Sequence, residues 1–230
     1  MDSRGLPSQL GVRPAPELTN QFLIQSFGWM FAGLLLTAGV SALVLANDTL
    51  TFSVYRNWYL FLFATIGVGI GVQVLIPKLN ATVALAAFFG YAALTGLTVG
   101  VIISFYNVQS VVTSFLGASA MFGAAALYGA TTKRSLNSIG GFLFMGMIGL
   151  FVASIVNIAL GSSTIGWVIA LIGVVVFTVY TAYTVQRISY GDYAASLGSV
   201  EKASVFGAIH LYINFVNIFL FLLRLTGGRR

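Results

Sequence analysis

IGGFLFMGMIGLFVASIVNIAL, Ile139 to Leu160, carries no charged residue, and its one strongly polar side chain is Asn157. A helix over this run rises about 33 Å, enough to cross the roughly 30 Å hydrocarbon core of a bilayer. A barrel strand would alternate polar and apolar residues over about ten positions, whereas this run is continuous and twice as long. Six further runs of the same kind surround it: Phe22 to Ala46, Trp58 to Ile76, Thr82 to Ser104, Ser110 to Ala130, Thr164 to Gln186 and Ala203 to Leu225. The pattern predicts an all-α polytopic membrane protein with seven transmembrane helices. Most connections are short, and only Asn47 to Asn57 and Arg187 to Lys202 have room for more than a turn.

Composition agrees with this reading. Only 7% of the 230 residues are charged and 58% are apolar, whereas soluble domains carry about 25% charged residues. Disorder is excluded as well, because it needs low hydrophobicity and high charge. The formal charge of +6 is spread over the ends of apolar segments. It is therefore read as a topology signal for a protein whose partner is the lipid bilayer, not as a nucleic-acid groove. With no cysteine in the chain, disulfides, thiolate metal sites, iron–sulfur clusters and cysteine nucleophiles are all excluded. Residues 1–20, with Pro7, Pro14 and Pro16, read as a flexible polar tail ahead of a single membrane domain, 21–230. The run after the tail is too long for a signal-peptide core and stays as the first helix.

With the N-terminus in the cytoplasm, Arg4, Arg13, Lys78, Lys133, Arg134, Arg187 and Lys202 lie on the inner side. Arg56, and with seven spans Arg224, Arg229 and Arg230, lie outside. The inner excess favours this orientation. A re-entrant last segment, giving an even number of spans, would bring the C-terminal arginines inside. Gly67 and Gly71, Gly96 and Gly100, and the closer pair Gly146 and Gly149 are small-residue pairs expected to let helices approach within one bundle.

Polar residues inside apolar helices are the informative ones. In the last helix His210, Asn214, Asn217 and Arg224 recur at helical spacing and form one stripe. The sixth ends in Thr178, Tyr180, Thr181, Tyr183, Thr184, Gln186 and Arg187, and Gln73 and Asn157 are further interior candidates. Taken singly, such residues are expected to bond neighbouring helices; taken as a row they could line a hydrated path.

No enzyme signature survives inspection. Ser119 in GASA and His210, the one histidine, could form a membrane dyad of the rhomboid type, but Ser119 stands in a run of small packing residues and Ala120 replaces the usual glycine. No aspartate falls between Trp58 and Gln186 to supply an aspartyl dyad, and one histidine cannot make HExxH. Catalytic residues, metal ligands and cofactors are all expected to be absent.

Four strings, GLTVGVIISFY (Gly96 to Tyr106), ATTKRSLNSIGGFLFMGMIGLF (Ala130 to Phe151), GVVVFTVYTAYTVQRI (Gly173 to Ile188) and LYINFVNIFLFLLR (Leu211 to Arg224), carry a resemblance. In this order they resemble the Bax inhibitor family, the transmembrane Bax-inhibitor-motif proteins, over nearly the whole chain after residue 20. The resemblance implies a seven-helix bundle with the last helix central and the other six around it in two groups of three. For some members it implies a calcium leak governed by a pH-sensitive latch of two aspartates. For others it implies modulation of a membrane-bound protease or suppression of cell death.

This chain departs from the family pattern at the latch. Where the family reads YDTQ, Tyr183, Thr184, Val185 and Gln186 stand, so Thr184 replaces the first aspartate. Where it reads LYLDFIN, Asn214 replaces the second, and TKRD becomes TKRS with Ser135. The second helix offers no arginine to act as a cation for the latch. Threonine and asparagine keep one charge state at every physiological pH, whereas a carboxylate pair titrates. Calcium prefers several oxygen ligands including carboxylates, so any calcium or other cation is expected to bind weakly here. Thr184, Asn214, His210, Asn217, Arg224 and Tyr183 are the pore or latch candidates. The expected function is a weak calcium or cation leak without the di-aspartate latch, in the plasma membrane, or the inner membrane of a bacterium. The alternative is a non-conducting membrane protein that modulates a membrane-bound protease or other partner.

Overall fold

The structure, a computed structural model, describes residues 16–197 and 199–228. Its regular elements are helices: α1 (Pro16–Ala46), α2 (Asp48–Arg56), α3 (Trp58–Leu75), α4 (Ala81–Ser104), α5 (Val108–Thr131), α6 (Asn137–Leu160), α7 (Ser163–Ser189), α8 (Asp192–Leu197) and α9 (Val200–Thr226), with a 3₁₀ turn at Ile76–Lys78. Seven of them, α1, α3, α4, α5, α6, α7 and α9, are long and apolar enough to cross a membrane. α1 opens on Pro16, whose fixed φ and missing N–H suit a first helical position. The last residues of the stretch read as tail therefore belong to the first helix, and residues 1–15 lie outside the described ones. The wider Asn47 to Asn57 connection is mostly α2. α9 is one uninterrupted helix of 27 residues, about 40 Å long, long enough to cross a bilayer.

Capping side chains set several helix starts. Asn47 accepts from the Leu50 amide at 3.0 Å, Asn80 from Val83 at 2.9 Å and Ser162 from Ile165 at 3.3 Å. Each satisfies an amide that the first helical turn leaves without a partner. Gly161 closes α6 at φ 63°, a left-handed cap that a side chain would strain.

The chain divides into two compact units, one of residues 21–107 and 193–212, the other of the described residues 16–20, 108–192 and 213–228. In the first, α1 and α4 meet along a four-residue ladder. The Thr37 hydroxyl donates to Ala92 O and the Ser41 hydroxyl to Gly96 O, both at 2.9 Å. A methyl group added at Gly96 would lie 2.7 Å from the Val40 side chain, and one at Gly100 would lie 2.8 Å from Val44. These two glycines are the tight pair anticipated from the sequence. The other two pairs are not tight. Nothing lies within 4 Å of a methyl at Gly67, Gly71 or Gly149, and at Gly146 the neighbours are 3.8 Å away on Val176. Thr65 and Thr98 share a hydrogen bond of 2.8 Å between α3 and α4. Tyr212 is fully buried, bonded to Thr37 at 2.6 Å and packed edge-on to Phe88 and Tyr91.

In the second unit α7 packs against both α5 and α6. A methyl at Gly129 would overlap the Ala182 carbonyl, and one at Gly173 would lie 2.5 Å from the Phe221 ring. Phe115 and Phe122 on α5 meet Phe215 edge to face at 5.5 Å each. Ser114 bonds Thr226 at 3.1 Å, and the Gly228 amide donates to Ser110 at 3.0 Å, tying the end of α9 to the start of α5.

Burial is uneven among the spans, from 11% of α3 and 17% of α6 to 61% of α9. Phe142, Met145, Leu127, Leu60 and Ile24 are each more than 60% exposed. Such apolar surface has no place in water and is the surface that lipid tails cover.

Candidate functional site

Thr184 and Asn214, two of the residues named as pore or latch candidates, meet each other. Asn214 Nδ2 donates to Thr184 Oγ1 at 3.3 Å, and the two residues are 1% and 0% exposed. α7 supplies the hydroxyl, near its C-terminal end, and α9 the amide. The contact carries no formal charge, so neither group gains or loses a proton near neutral pH. It joins two helices with a neutral hydrogen bond.

Tyr183, next to Thr184, is half-buried over α6. A methyl at Gly140 would come within 2.8 Å of its ring and hydroxyl. Arg187, one turn on, reaches the Tyr183 hydroxyl at 3.5 Å, with its guanidinium carbon 5.7 Å from the ring centroid. Arg187 Nε also pairs with Asp192 Oδ2 at 3.2 Å, and that carboxylate is wholly buried. The sequence reading counted Arg187 for topology and in the polar end of the sixth helix, and passed over Asp192. What joins them is Gly191, whose φ of 71° turns the chain back at the end of α7. An arginine five residues ahead of an acid, with a glycine between them, is a signal that could have been read.

Gln186 was named as one of several polar residues and as the last position of the Tyr183–Gln186 stretch, with no role assigned to it. Its Oε1 accepts from the Leu136 amide and its Nε2 donates to Arg134 O, both at 2.8 Å. Both ends of a buried amide are thus used to fasten the α5–α6 connection to α7. Thr181 donates to Phe177 O within its own helix, whereas Thr178 Oγ1 and Asn157 Oδ1 are buried without a hydrogen-bond partner.

The remaining stripe residues have separate surroundings. His210 stacks on Tyr193, centroids 5.8 Å apart and planes 11° apart, and meets Phe206 edge-on at 4.6 Å. Asn217 Nδ2 donates to Ile213 O of its own helix at 2.8 Å. Arg224, exposed in the last turn of α9, lays its guanidinium where a methyl at Gly166 would be. A cation at this helix end also meets the negative end of the helix dipole. Ser119 donates to Phe115 O at 2.8 Å within α5, and Gln73 to Gly69 O at 3.1 Å within α3.

Seven apolar helices, with polar groups held mostly in neutral pairs between or within them, define a multi-pass integral membrane protein. The family model described as "Inhibitor of apoptosis-promoting Bax1" matches residues 19–230. The chain is 40% identical over 216 residues, 91% of its length and 92% of the relative's, to "Inner membrane protein YbhL" of Escherichia coli. It is 37% identical over 209 residues, 90% of each chain, to an uncharacterized protein of Deinococcus radiodurans. It is 33% identical over 217 residues, 93% of this chain and 92% of the other, to an uncharacterized protein of Rickettsia prowazekii. The chain belongs to the Bax inhibitor family.

Proposed function

We propose that the protein is a weak cation leak of the bacterial inner membrane, calcium included, whose α7–α9 contact has exchanged a titrating carboxylate pair for a neutral hydrogen bond. The observation that carries this reading is the buried bond from Asn214 to Thr184 at 3.3 Å. Buried polar atoms without a partner at Asn157 and Thr178 support a polar interior, because such groups otherwise cost stability. With no carboxylate at the contact, an ion is held by hydroxyl, amide and backbone oxygens only. That gives weak binding and the easy release that conduction requires. The inner-side excess of Lys and Arg supports a cytoplasmic N-terminus. The reading involves no catalysis.

Installing aspartate at both positions, Thr184→Asp with Asn214→Asp, tests it. Calcium flux into dye-loaded proteoliposomes should acquire an acid-sensitive component that the unmodified protein lacks. Flux equally insensitive to pH in both proteins would remove the contact from the control of conduction.

A second reading, a non-conducting protein that regulates a membrane partner, is favoured by the free small-residue face of α3. Gly67 and Gly71 leave room that no described side chain fills, the kind of surface on which another membrane helix seats. A stoichiometric partner copurifying in mild detergent, lost with Gly67→Leu, together with flux no higher than in empty liposomes, would select it.

A further inference from the structure

α2 presents two faces with different surroundings. Leu50 and Val54 pack into an apolar cluster with Val44, Val101, Trp58, Phe61 and Leu97. The adjacent face, Asp48, Thr51, Phe52 and Tyr55, borders a cavity of about 520 Å³ whose opposite wall is Val101, Ser104 and Phe105 at the end of α4. Three aromatic residues and one acidic residue therefore line this open cleft. Tyr55 and Phe105 form a corner and do not stack, with centroids 5.8 Å apart and planes inclined by 56°. The core does not take up the rings: Phe52, Tyr55 and Phe105 are 62%, 55% and 49% exposed.

The polar atoms of the wall point to one sign of charge. The Thr51 hydroxyl donates to Val44 O at 2.6 Å and the Ser104 hydroxyl to Val101 O at 2.8 Å, so each offers only lone pairs to the cavity. One acidic residue, two hydroxyls spent on backbone carbonyls and three aromatic residues make an electron-rich lining, and among the described residues no basic one contributes to it. A metal cation such as calcium needs more oxygens than this. An alkylammonium group is the matching ligand, because its diffuse charge is attracted to aromatic faces and its methyl or methylene groups pack on them. The cavity also lies where α1 and α4 end, the level at which lipid headgroups meet a span.

We infer that the cavity between α2 and the end of α4 is an alkylammonium site, with Phe52, Tyr55 and Phe105 as the cage and Asp48 as the counter-charge. The ligand is the amine of a lipid headgroup or a soluble amine of the same chemistry.

The full chain is titrated calorimetrically in maltoside detergent with tetramethylammonium chloride against sodium chloride at equal ionic strength. In parallel it is exposed to equimolar phosphatidylethanolamine and phosphatidylglycerol, and retained lipid is counted by native mass spectrometry. Tetramethylammonium should bind where sodium does not, and Asp48→Asn and Phe52→Leu with Tyr55→Leu should each weaken it about tenfold. Preferential retention of phosphatidylethanolamine assigns the site to lipid, and tetramethylammonium binding without that preference assigns it to a soluble amine. Absence of both, or binding unchanged in Asp48→Asn, overturns the inference. Asp48→Asn keeps the side-chain shape on an exposed first turn and carries the test alone should the double leucine variant not fold.

Discussion

Gly129 and Gly67 both stand in runs of small residues, yet a methyl at Gly129 would overlap the Ala182 backbone while one at Gly67 meets open space. Gly129→Ala should therefore destabilise the protein by about 1–3 kcal/mol through forced separation of α5 and α7. Gly67→Ala should be neutral or slightly stabilising, since alanine favours the helix by about 1 kcal/mol. Thermal unfolding in detergent checks the pair, and equal shifts would contradict the packing described. The sequence alone could not rank these glycines. Small-residue spacing says that close approach is permitted, and which neighbour takes it up depends on helix rotation. Asp192 was hidden for a related reason, because a single left-handed glycine returns it to Arg187 and no periodicity encodes that turn. Thr184 and Asn214 were legible because each falls inside a longer motif that fixes its position, and the structure shows that they touch.

At the scale of elements, the seven spans were legible because uninterrupted apolar runs of this length have one stable solution in a bilayer. The connections were less so. α2 hides in a stretch with a mixed pattern, and its second face becomes meaningful only when the end of α4 is beside it. The α5–α6 connection looks like an ordinary basic loop until Gln186 is seen to hold it by both ends of its amide. Gln186→Leu should leave the Leu136 amide and the Arg134 carbonyl without these bonds, at a cost of about 1–3 kcal/mol. Hydrogen exchange at the Leu136 amide should accelerate while the middle of α7 stays protected. Unchanged exchange at Leu136 would show that the loop is held by something else.

For the molecule as a whole, the scarcity of charge has two consequences. It commits the chain to the membrane, and it leaves the α7–α9 contact with nothing to titrate. Orientation can be read directly because the chain has no cysteine of its own. With a cytoplasmic N-terminus, Ser53→Cys in α2 should react with a membrane-impermeant maleimide added to cells with a permeabilised outer envelope, and Ser135→Cys in the α5–α6 connection should not; the reverse pattern would invert the topology. The central claim is that a neutral hydrogen bond has replaced the acid-sensitive pair, and calcium flux through the unmodified protein in liposomes between pH 5 and 8, ionic strength held constant, tests it most directly. The account predicts a low flux that varies less than about twofold across that range, and a steep acid-dependent change that persists in His210→Gln would contradict it.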